Sequence, residues 1–229
     1  MKINGFQKMT MLDFPDKLAC TVFTPGCNWR CPFCHNARLV THIEAADAWE
    51  EQEIFSYLQK RQGVLEGVCI TGGEPLMQPD LPVFLEKIKA LGFLVKVDTN
   101  GTFPDRLEHL LASGNVDYVA MDIKNAPEKY VQTVGCPVDM ERINQSITLL
   151  KEGGVPFEFR TTVVRELHTM EDLLSIGAWI AGSEPYYLQS FTDSGDLIGQ
   201  GYTSPTPEFL HQAADALRPM LPQIQLRGV

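Results

Sequence analysis

The sequence lacks the features of a membrane or nucleic-acid-binding protein. No apolar run approaches the roughly 18 residues that a membrane helix needs, and residues 1–16 carry no apolar signal-peptide region. Basic residues are scarce: 19 Lys and Arg stand against 29 Asp and Glu, and the net charge is −10. Nucleic-acid binding requires a basic surface, which this charge argues against. We expect a cytoplasmic protein, in a reducing compartment where thiols stay free.

Cysteines are also few, but three of the six lie on one short segment. Cys27, Cys31 and Cys34 have the spacing C-x3-C-x2-C in TPGCNWRCPFCHN (24–36), and no fourth cysteine follows nearby. Three thiolates can bind three irons of a [4Fe–4S] cluster and leave the fourth iron open to another ligand. An odd number disfavours disulfides. A closed zinc site would need His35 as its fourth ligand, but adjacent residues rarely bind one tetrahedral metal, so an iron–sulfur cluster is favoured.

A second motif is the run Gly72-Gly73-Glu74-Pro75, which follows a short apolar stretch and precedes a helical pattern. It therefore occupies a strand-to-helix turn, where glycines let the backbone approach a ligand closely. A Gly-Gly pair by itself is usually only a turn. Because this turn follows the three-cysteine segment by one strand, a ligand-binding role is indicated more strongly than by the Gly-Gly pair alone.

Strands and helices alternate along the chain. This alternation predicts an α/β fold with a parallel sheet and right-handed crossovers. A complete eight-fold barrel takes about 250 residues, so an open six-stranded barrel suits the length better. The six predicted strands are Leu18–Phe23, Gly67–Thr71, Leu94–Thr99, Val116–Asp122, Phe157–Val164 and Tyr186–Phe191.

The whole chain, 1–229, is expected to form a single domain. Its barrel core is predicted over about 18–191. Thr206 before Pro207 marks the start of a last helix over about 206–220, because proline is favoured at the first helical position.

The chemically distinctive residues follow the ends of successive strands. The cysteine segment follows the first predicted strand and the Gly-Gly turn follows the second. Asp98 and Thr99 end the third strand, and Asp122 and Lys124 lie at the end of the fourth. Active sites of (β/α) barrels lie at the carboxyl ends of the strands. The sequence therefore predicts that these residues converge on one rim.

The cysteine spacing combined with the Gly-Gly-Glu-Pro turn resembles the radical S-adenosylmethionine (SAM) superfamily. Three further motifs resemble the activating enzymes of glycyl-radical enzymes: Cys34-His35-Asn36, Asp98-Thr99-Asn100-Gly101 and Met121-Asp122-Ile123-Lys124. Pyruvate formate-lyase activating enzyme belongs to this group, and the overall pattern is similar to the anaerobic ribonucleoside-triphosphate reductase activating proteins. The resemblance implies a partial (β/α)6 TIM-like barrel forming a single radical SAM domain, with a [4Fe–4S] cluster and SAM as cofactors.

The remaining cysteines bear on the number of clusters. Cys20 and Cys69 lie in apolar strand-like runs and are interpreted as core residues, whereas Cys136 lies in a turn. Some relatives carry a ferredoxin-like insert with extra cysteines, but no cysteine lies between Cys34 and Cys69. We therefore expect one cluster.

The resemblance also implies a set of cofactor-binding residues. The backbone of the two glycines and the carboxylate of Glu74 are expected near the methionine ammonium of SAM, and Phe33 beside the adenine. A plain turn and simple loop packing are the respective alternatives. The full predicted set is Phe33, Gly72, Gly73, Glu74, Asp98, Asp122, Lys124 and Arg160.

Two roles of the charged residues at the strand ends stay open: the anion that Arg160 binds and the ligand of the aspartates. Lys124 is expected to bind the SAM carboxylate. Arg160 must find an anion because a buried unpaired charge is costly, and this anion is either the same carboxylate or one beside the cluster. The resemblance implies a monovalent cation at Asp98, Thr99 and Asp122. Contact with the ligand ammonium or helix capping are the alternatives for the aspartates.

The leading functional hypothesis is an activase. Such an enzyme reductively cleaves SAM to a 5′-deoxyadenosyl radical, which abstracts hydrogen from a glycine of a glycyl-radical enzyme. The expected partner is an anaerobic ribonucleotide reductase, with flavodoxin or ferredoxin as electron donor. The family's histidine near the end of strand six is replaced by Leu188–Thr192, which argues against pyruvate formate-lyase as partner. The alternatives are a radical SAM enzyme with a small-molecule substrate and a non-catalytic metal-binding module.

Overall fold

One eight-stranded sheet organises the protein. The computed structural model describes residues 1–44, 48–183 and 185–229. The strands lie side by side in chain order; β1 pairs antiparallel with β2, and the pairs from β2 to β8 are parallel. Their bounds are β1 Gly5–Thr10, β2 Ala19–Thr24, β3 Gly67–Gly72, β4 Leu94–Thr99, β5 Tyr118–Asp122, β6 Phe157–Val163, β7 Tyr186–Ser190 and β8 Gln225–Arg227.

Helices occupy most of the connections between parallel strands. They are α1 Ala37–Thr41, α2 Glu51–Gln59, α3 Leu81–Ala90, α4 Pro104–Ala112, α5 Tyr130–Val134, α6 Met140–Glu152, α7 Met170–Trp179 and α8 Pro207–Leu217. Short 3-10 turns lie at Pro75–Met77 and Pro127–Lys129. Within the described ranges, no helix is long and apolar enough to cross a membrane.

The predicted α/β fold with an open, mostly parallel sheet is confirmed. The six predicted strands correspond to β2–β7, and α8 begins where Thr206 caps it by accepting a hydrogen bond from the Phe209 amide. Two strands were not predicted. β1 carries no clear apolar alternation because Gln7, Lys8 and Met9 are exposed, and β8 is too short to show a period.

The two faces of the sheet differ in polarity. On β4, Val95 and Val97 belong to the hydrophobic core, and α3 packs against this strand. Side chains alternate along a strand, so Lys96 and Asp98 share the opposite face. On that face the fully buried Glu158 of β6 forms a bidentate ion pair with Arg227 of β8, with distances of 2.8 and 2.9 Å. The polar side chains of this face extend to the carboxyl ends of the strands.

Candidate active site

The three cysteines lie together in the segment between β2 and α1. Cys27, Cys31 and Cys34 line a cavity of about 210 Å³ at the carboxyl ends of the strands, and all three are free of disulfides. Backbone hydrogen bonds hold the segment: the Gly26 amide donates to the Leu39 carbonyl and the Arg30 amide to the Val134 carbonyl. Burial raises the pKa of the Cys27 thiol to about 11 and that of Cys31 to about 12. Metal binding must therefore displace their protons.

The donor set fits an iron–sulfur cluster better than a single metal ion. Thiolates on one zinc lie close together, because each Zn–S bond is about 2.3 Å. In the parts of the chain that the structure describes, no group of three or more His, Cys, Asp and Glu side chains is placed to hold one ion. A cluster instead spreads its ligands over separate irons. His35, the candidate zinc ligand, pairs its Nε2 with the Thr192 carbonyl at 2.8 Å and stacks on Phe191.

Trp29 provides a second observation in favour of a cluster. It lies between the first two cysteines, lines the same cavity and is 2% exposed. Its indole Nε1 is buried without a hydrogen-bond partner. Buried donors almost always have an acceptor. The sulfides and thiolates of a bound cluster are acceptors of the kind that this N–H lacks.

The Gly-Gly turn is shaped by its contact with the cysteine segment. The Gly73 amide donates to the Thr24 carbonyl at 2.8 Å, and the Asn36 side-chain amide donates to the Gly72 carbonyl at 2.9 Å. Gly72 has φ +114°, and a Cβ on Gly73 would lie 2.0 Å from the Gly26 carbonyl oxygen. Both positions therefore require glycine because two backbone segments touch. Their expected contact with the SAM ammonium stays a prediction.

Glu74 connects this turn to the end of β4. Its carboxylate accepts hydrogen bonds from the Leu76 amide at 3.0 Å, the Thr99 hydroxyl at 2.9 Å and the Asn100 amide at 2.7 Å. The residue is 1% exposed, and burial raises its pKa to about 7 despite the three donors. The carboxylate thus holds two rim turns together, a role that sequence reasoning missed. Its contact with the ligand ammonium stays a prediction.

Five charged side chains of alternating sign cross the site from β4 to the end of β5. The Arg160 guanidinium bridges two carboxylates, with Nη1 3.1 Å from Asp98 Oδ2 and Nε 2.9 Å from Asp122 Oδ1. Lys124 Nζ lies 2.9 Å from Asp122 Oδ2, and Lys96 Nζ contacts Asp98 Oδ1. We call this set the ion-pair chain: Lys96, Asp98, Arg160, Asp122 and Lys124.

Electrostatics keep every member of the ion-pair chain charged. Burial alone would raise the pKa of each aspartate, but Arg160 and Lys96 lower that of Asp98, and Arg160 and Lys124 lower that of Asp122. Burial alone would lower the pKa of Lys124, but Asp122 raises it. Three positive and two negative side chains give the ion-pair chain itself a net charge of +1, and its end member Lys124 lines the cavity. This excess suits a ligand carboxylate.

The predicted monovalent cation is a poor fit to Asp98, Thr99 and Asp122. Both oxygens of each carboxylate already contact cationic side chains of the ion-pair chain. The Thr99 hydroxyl donates to Glu74 and accepts from the Gly101 amide. A further cation would be placed among three positive side chains, where Coulomb repulsion opposes it.

Other residues of the cavity were only partly anticipated. Phe33 is 4% exposed and packs edge-on against Phe191, with ring centroids 6.5 Å apart. It lines the cavity, and its place beside the adenine stays a prediction. Gln189 of β7 lies in the stretch where the family's histidine was expected, and it pairs in register with Thr162 of β6. The lining residues that sequence reasoning did not assign to the site include Trp29, Thr71, Asn100, Thr162 and Gln189.

The fold and the three-cysteine cavity define a radical SAM enzyme. The model of the radical SAM superfamily matches residues 21–178, well over half of the chain, and the protein belongs to this superfamily. The chain is 34% identical over 194 residues to a provisionally named glycyl-radical enzyme activating enzyme of Methanocaldococcus jannaschii, covering 82% of this chain and 79% of the relative. It is 30% identical over 145 residues to the pyruvate formate-lyase-activating enzyme of Listeria monocytogenes, covering 57% of this chain and 56% of that enzyme.

A solved structure supports the fold independently. The crystal structure of Streptococcus suis SuiB superposes with a TM-score of 0.72 at 13% identity, covering 91% of this chain and 48% of that one. The chain thus spans about half the length of SuiB, and at this identity the likeness concerns the fold alone. Superfamily membership confirms the predicted resemblance and implies a [4Fe–4S] cluster and SAM as cofactors.

Lys124→Ala is expected to weaken SAM binding while leaving the iron content intact. Lys124 lines the cavity, its side chain is 16% exposed, and its backbone is fixed by Tyr130 and His168. A hydrogen bond to a charged group contributes about 1.5–3 kcal/mol, so affinity should fall roughly tenfold to over a hundredfold. Calorimetry on the reconstituted protein measures this change.

Lys129→Ala is the matched control for this measurement. Its ammonium also pairs with an aspartate, Asp172, at 2.7 Å, but Lys129 does not line the cavity. This variant should bind SAM like the wild type. Wild-type affinity in Lys124→Ala would mean that another group binds the ligand carboxylate.

Proposed function

We propose that this protein is an activase that generates a glycyl radical in a partner enzyme. The observation that carries the proposal is the 34% identity over most of both chains to the activating-enzyme relative from Methanocaldococcus jannaschii. The rim geometry supports it, since α4 begins at Pro104 and β4 ends at Thr99, so the connection at this side of the cavity is short. A peptide loop of a partner needs such access.

The cofactors supply the radical chemistry when bound: one electron reaching the cluster cleaves SAM to methionine and a 5′-deoxyadenosyl radical. The chain's own residues bind and orient. Cys27, Cys31 and Cys34 would hold the cluster, and Lys124 would bind the SAM carboxylate. The rest of the ion-pair chain keeps Lys124 charged and in place.

The reaction consumes one SAM molecule and one electron for each hydrogen atom that is transferred. The C–H bond at a glycine Cα of the partner would break, and its hydrogen atom would form a new C–H bond at the 5′ carbon of the deoxyadenosyl group, which gives 5′-deoxyadenosine. The unpaired electron stays on the glycine. The one electron consumed comes from a low-potential donor, which we infer to be flavodoxin or ferredoxin, and we place the reaction in the cytoplasm. We further propose an anaerobic ribonucleoside-triphosphate reductase as partner, because the motifs at 98–101 and 121–124 resemble its activating proteins.

Incubating the reduced protein with SAM and an anaerobic ribonucleotide reductase should produce a protein glycyl signal in electron paramagnetic resonance. Deuterium placed on the partner's glycine Cα should appear in 5′-deoxyadenosine. A partner carrying Gly→Ala at the radical site is the control and should give neither result.

One outcome would contradict the activase proposal, and another would contradict only the choice of partner. Deuterium reaching 5′-deoxyadenosine only from a small metabolite would make the protein a small-molecule radical SAM enzyme. Activation of a different glycyl-radical enzyme instead would retain the activase but reject the ribonucleotide reductase as its partner.

A further inference from the structure

Lys96 is a buried lysine beneath the cavity, a position that lysine rarely takes. Its side chain is 1% exposed. It lies two residues before Asp98 on the same face of β4, opposite Cys69 in the register of β3 and β4. Its Nζ contacts Asp98 Oδ1 and lies 3.8 Å from Cys69 Sγ. Burying an ammonium costs several kcal/mol unless it is paired, so this contact with Asp98 is essential to its presence.

We propose that the ammonium of Lys96 takes the place of a monovalent metal cation at Asp98, so that the site is complete without sodium or potassium. An ammonium group carries the same single charge as these ions and binds the same carboxylate oxygens. Here it is supplied by the chain itself. Lys96 does not line the cavity, so it acts through Asp98 as a positioning residue.

The contacts of Asp98 show how this effect would reach the ligand. One oxygen of Asp98 contacts Lys96, and the other accepts from Arg160 Nη1. The Nε of Arg160 then fixes Asp122, which holds Lys124. A cation at Asp98 Oδ1 therefore holds the carboxylate in the orientation that the rest of the ion-pair chain needs.

The charge balance also supports Lys96 as the replacement for a monovalent metal cation. With Lys96 removed, the two carboxylates of the ion-pair chain would face two cationic side chains, and the ion-pair chain would lose its net positive charge. Asp98 Oδ1 would then be a buried carboxylate oxygen without its partner, which is an unfavourable state. A monovalent ion could restore both the contact and the charge. Of the neighbouring groups, Asp98 has the largest effect on the pKa of Lys96 and is an anion, ahead of Cys69 and Arg160.

This inference goes beyond the proposed activase function, because it rests only on the ion-pair chain and on SAM binding. Its test needs no partner enzyme. Failure of the glycyl-radical assay would leave it untouched, and its own failure would leave the activase proposal untouched.

The experiment compares the wild type and Lys96→Ala in chlorides of sodium, potassium, ammonium and tetramethylammonium at equal ionic strength. The thermal unfolding midpoint of the protein without cofactors and the SAM affinity of the reconstituted protein are measured in each salt. The wild type should have the same unfolding midpoint and the same SAM affinity in all four salts. Lys96→Ala should bind SAM roughly tenfold or more weakly in tetramethylammonium, because a charge-assisted contact is lost. Potassium or ammonium should restore both properties selectively.

Lys89→Ala is the matched control. It also removes an ammonium paired with an aspartate, since Lys89 Nζ lies 2.8 Å from both oxygens of Asp117, but this pair is outside the cavity. Any change in this variant should be equal in the potassium, ammonium and tetramethylammonium salts. It therefore reports the general cost of losing a paired lysine.

A second variant covers the case in which Lys96→Ala does not fold. Lys96→Gln keeps most of the side-chain volume and a hydrogen-bond donor but lacks the charge, and it is measured in the same salts. A wild type that itself needs sodium or potassium would overturn the proposal. Variants at Lys96 whose loss is the same in all four salts would also overturn it, since the ammonium would then be structural only.

Discussion

Cys31→Ser is expected to abolish SAM cleavage and to lower the iron content of the reconstituted protein. Cys31 is 8% exposed and lines the cavity together with Cys27 and Cys34. With only three cysteines on the segment, the loss of one leaves two irons bound by the protein instead of three. The same result is expected for Cys27→Ser and Cys34→Ser. Iron analysis, the visible spectrum and chromatography of 5′-deoxyadenosine measure it.

Cys136→Ser is a strict control because Cys136 lies beside the same segment. Its Sγ lies 3.5 Å from the Asn28 carbonyl oxygen, and a serine hydroxyl could donate to that oxygen as well. This variant should retain iron and SAM cleavage. The core residues Cys20 and Cys69 are also expected to be dispensable for cleavage. About eight iron atoms per chain would indicate two [4Fe–4S] clusters, and zinc in place of iron would reject the iron–sulfur assignment.

The convergence of the site residues could be predicted from sequence because chain order determines where parallel strands end. Asp98 is the next-to-last residue of β4 and Asp122 is the last of β5, and both line the same cavity as the cysteines. This follows from strand alternation and the short apolar runs. The edge strand β1 could not be predicted in the same way, because its exposed residues carry no apolar period.

The pairing of the charges could not be predicted from sequence. Asp122 lies opposite Arg160 only because of the register between β5 and β6, and residue order does not determine that register. The sequence therefore left the anion of Arg160 open between the ligand carboxylate and the neighbourhood of the cluster. In the structure Arg160 instead donates to two aspartates. One sequence signal could have indicated this pairing of charges: Lys96 and Asp98 lie two residues apart in β4 and alternate with Val95 and Val97, which is typical of a strand with a polar interior face.

Arg160→Met is expected to destabilise the fold more than Lys124→Ala does. Its side chain is 15% exposed and holds two partly buried carboxylates at once. Removing one partner of a buried ion pair typically costs about 3–5 kcal/mol, because the remaining charge is left uncompensated. The free energy of unfolding in urea measures this cost. Lys124→Ala, which removes the pair at the rim, should lower the free energy of unfolding by less.

Two further variants separate charge from geometry. Arg160→Lys keeps the charge, but a single ammonium cannot reproduce the planar fork that reaches both Asp98 and Asp122, so an intermediate loss is expected. Combining Arg160→Met with Asp122→Asn should recover no stability, because Lys124 would then also lose the carboxylate that pairs with it. If Arg160→Met unfolds at the same urea concentration as the wild type, the ion-pair chain does not contribute to folding. Arg160 would then act only in ligand binding, through the positive charge that it contributes beside the cavity.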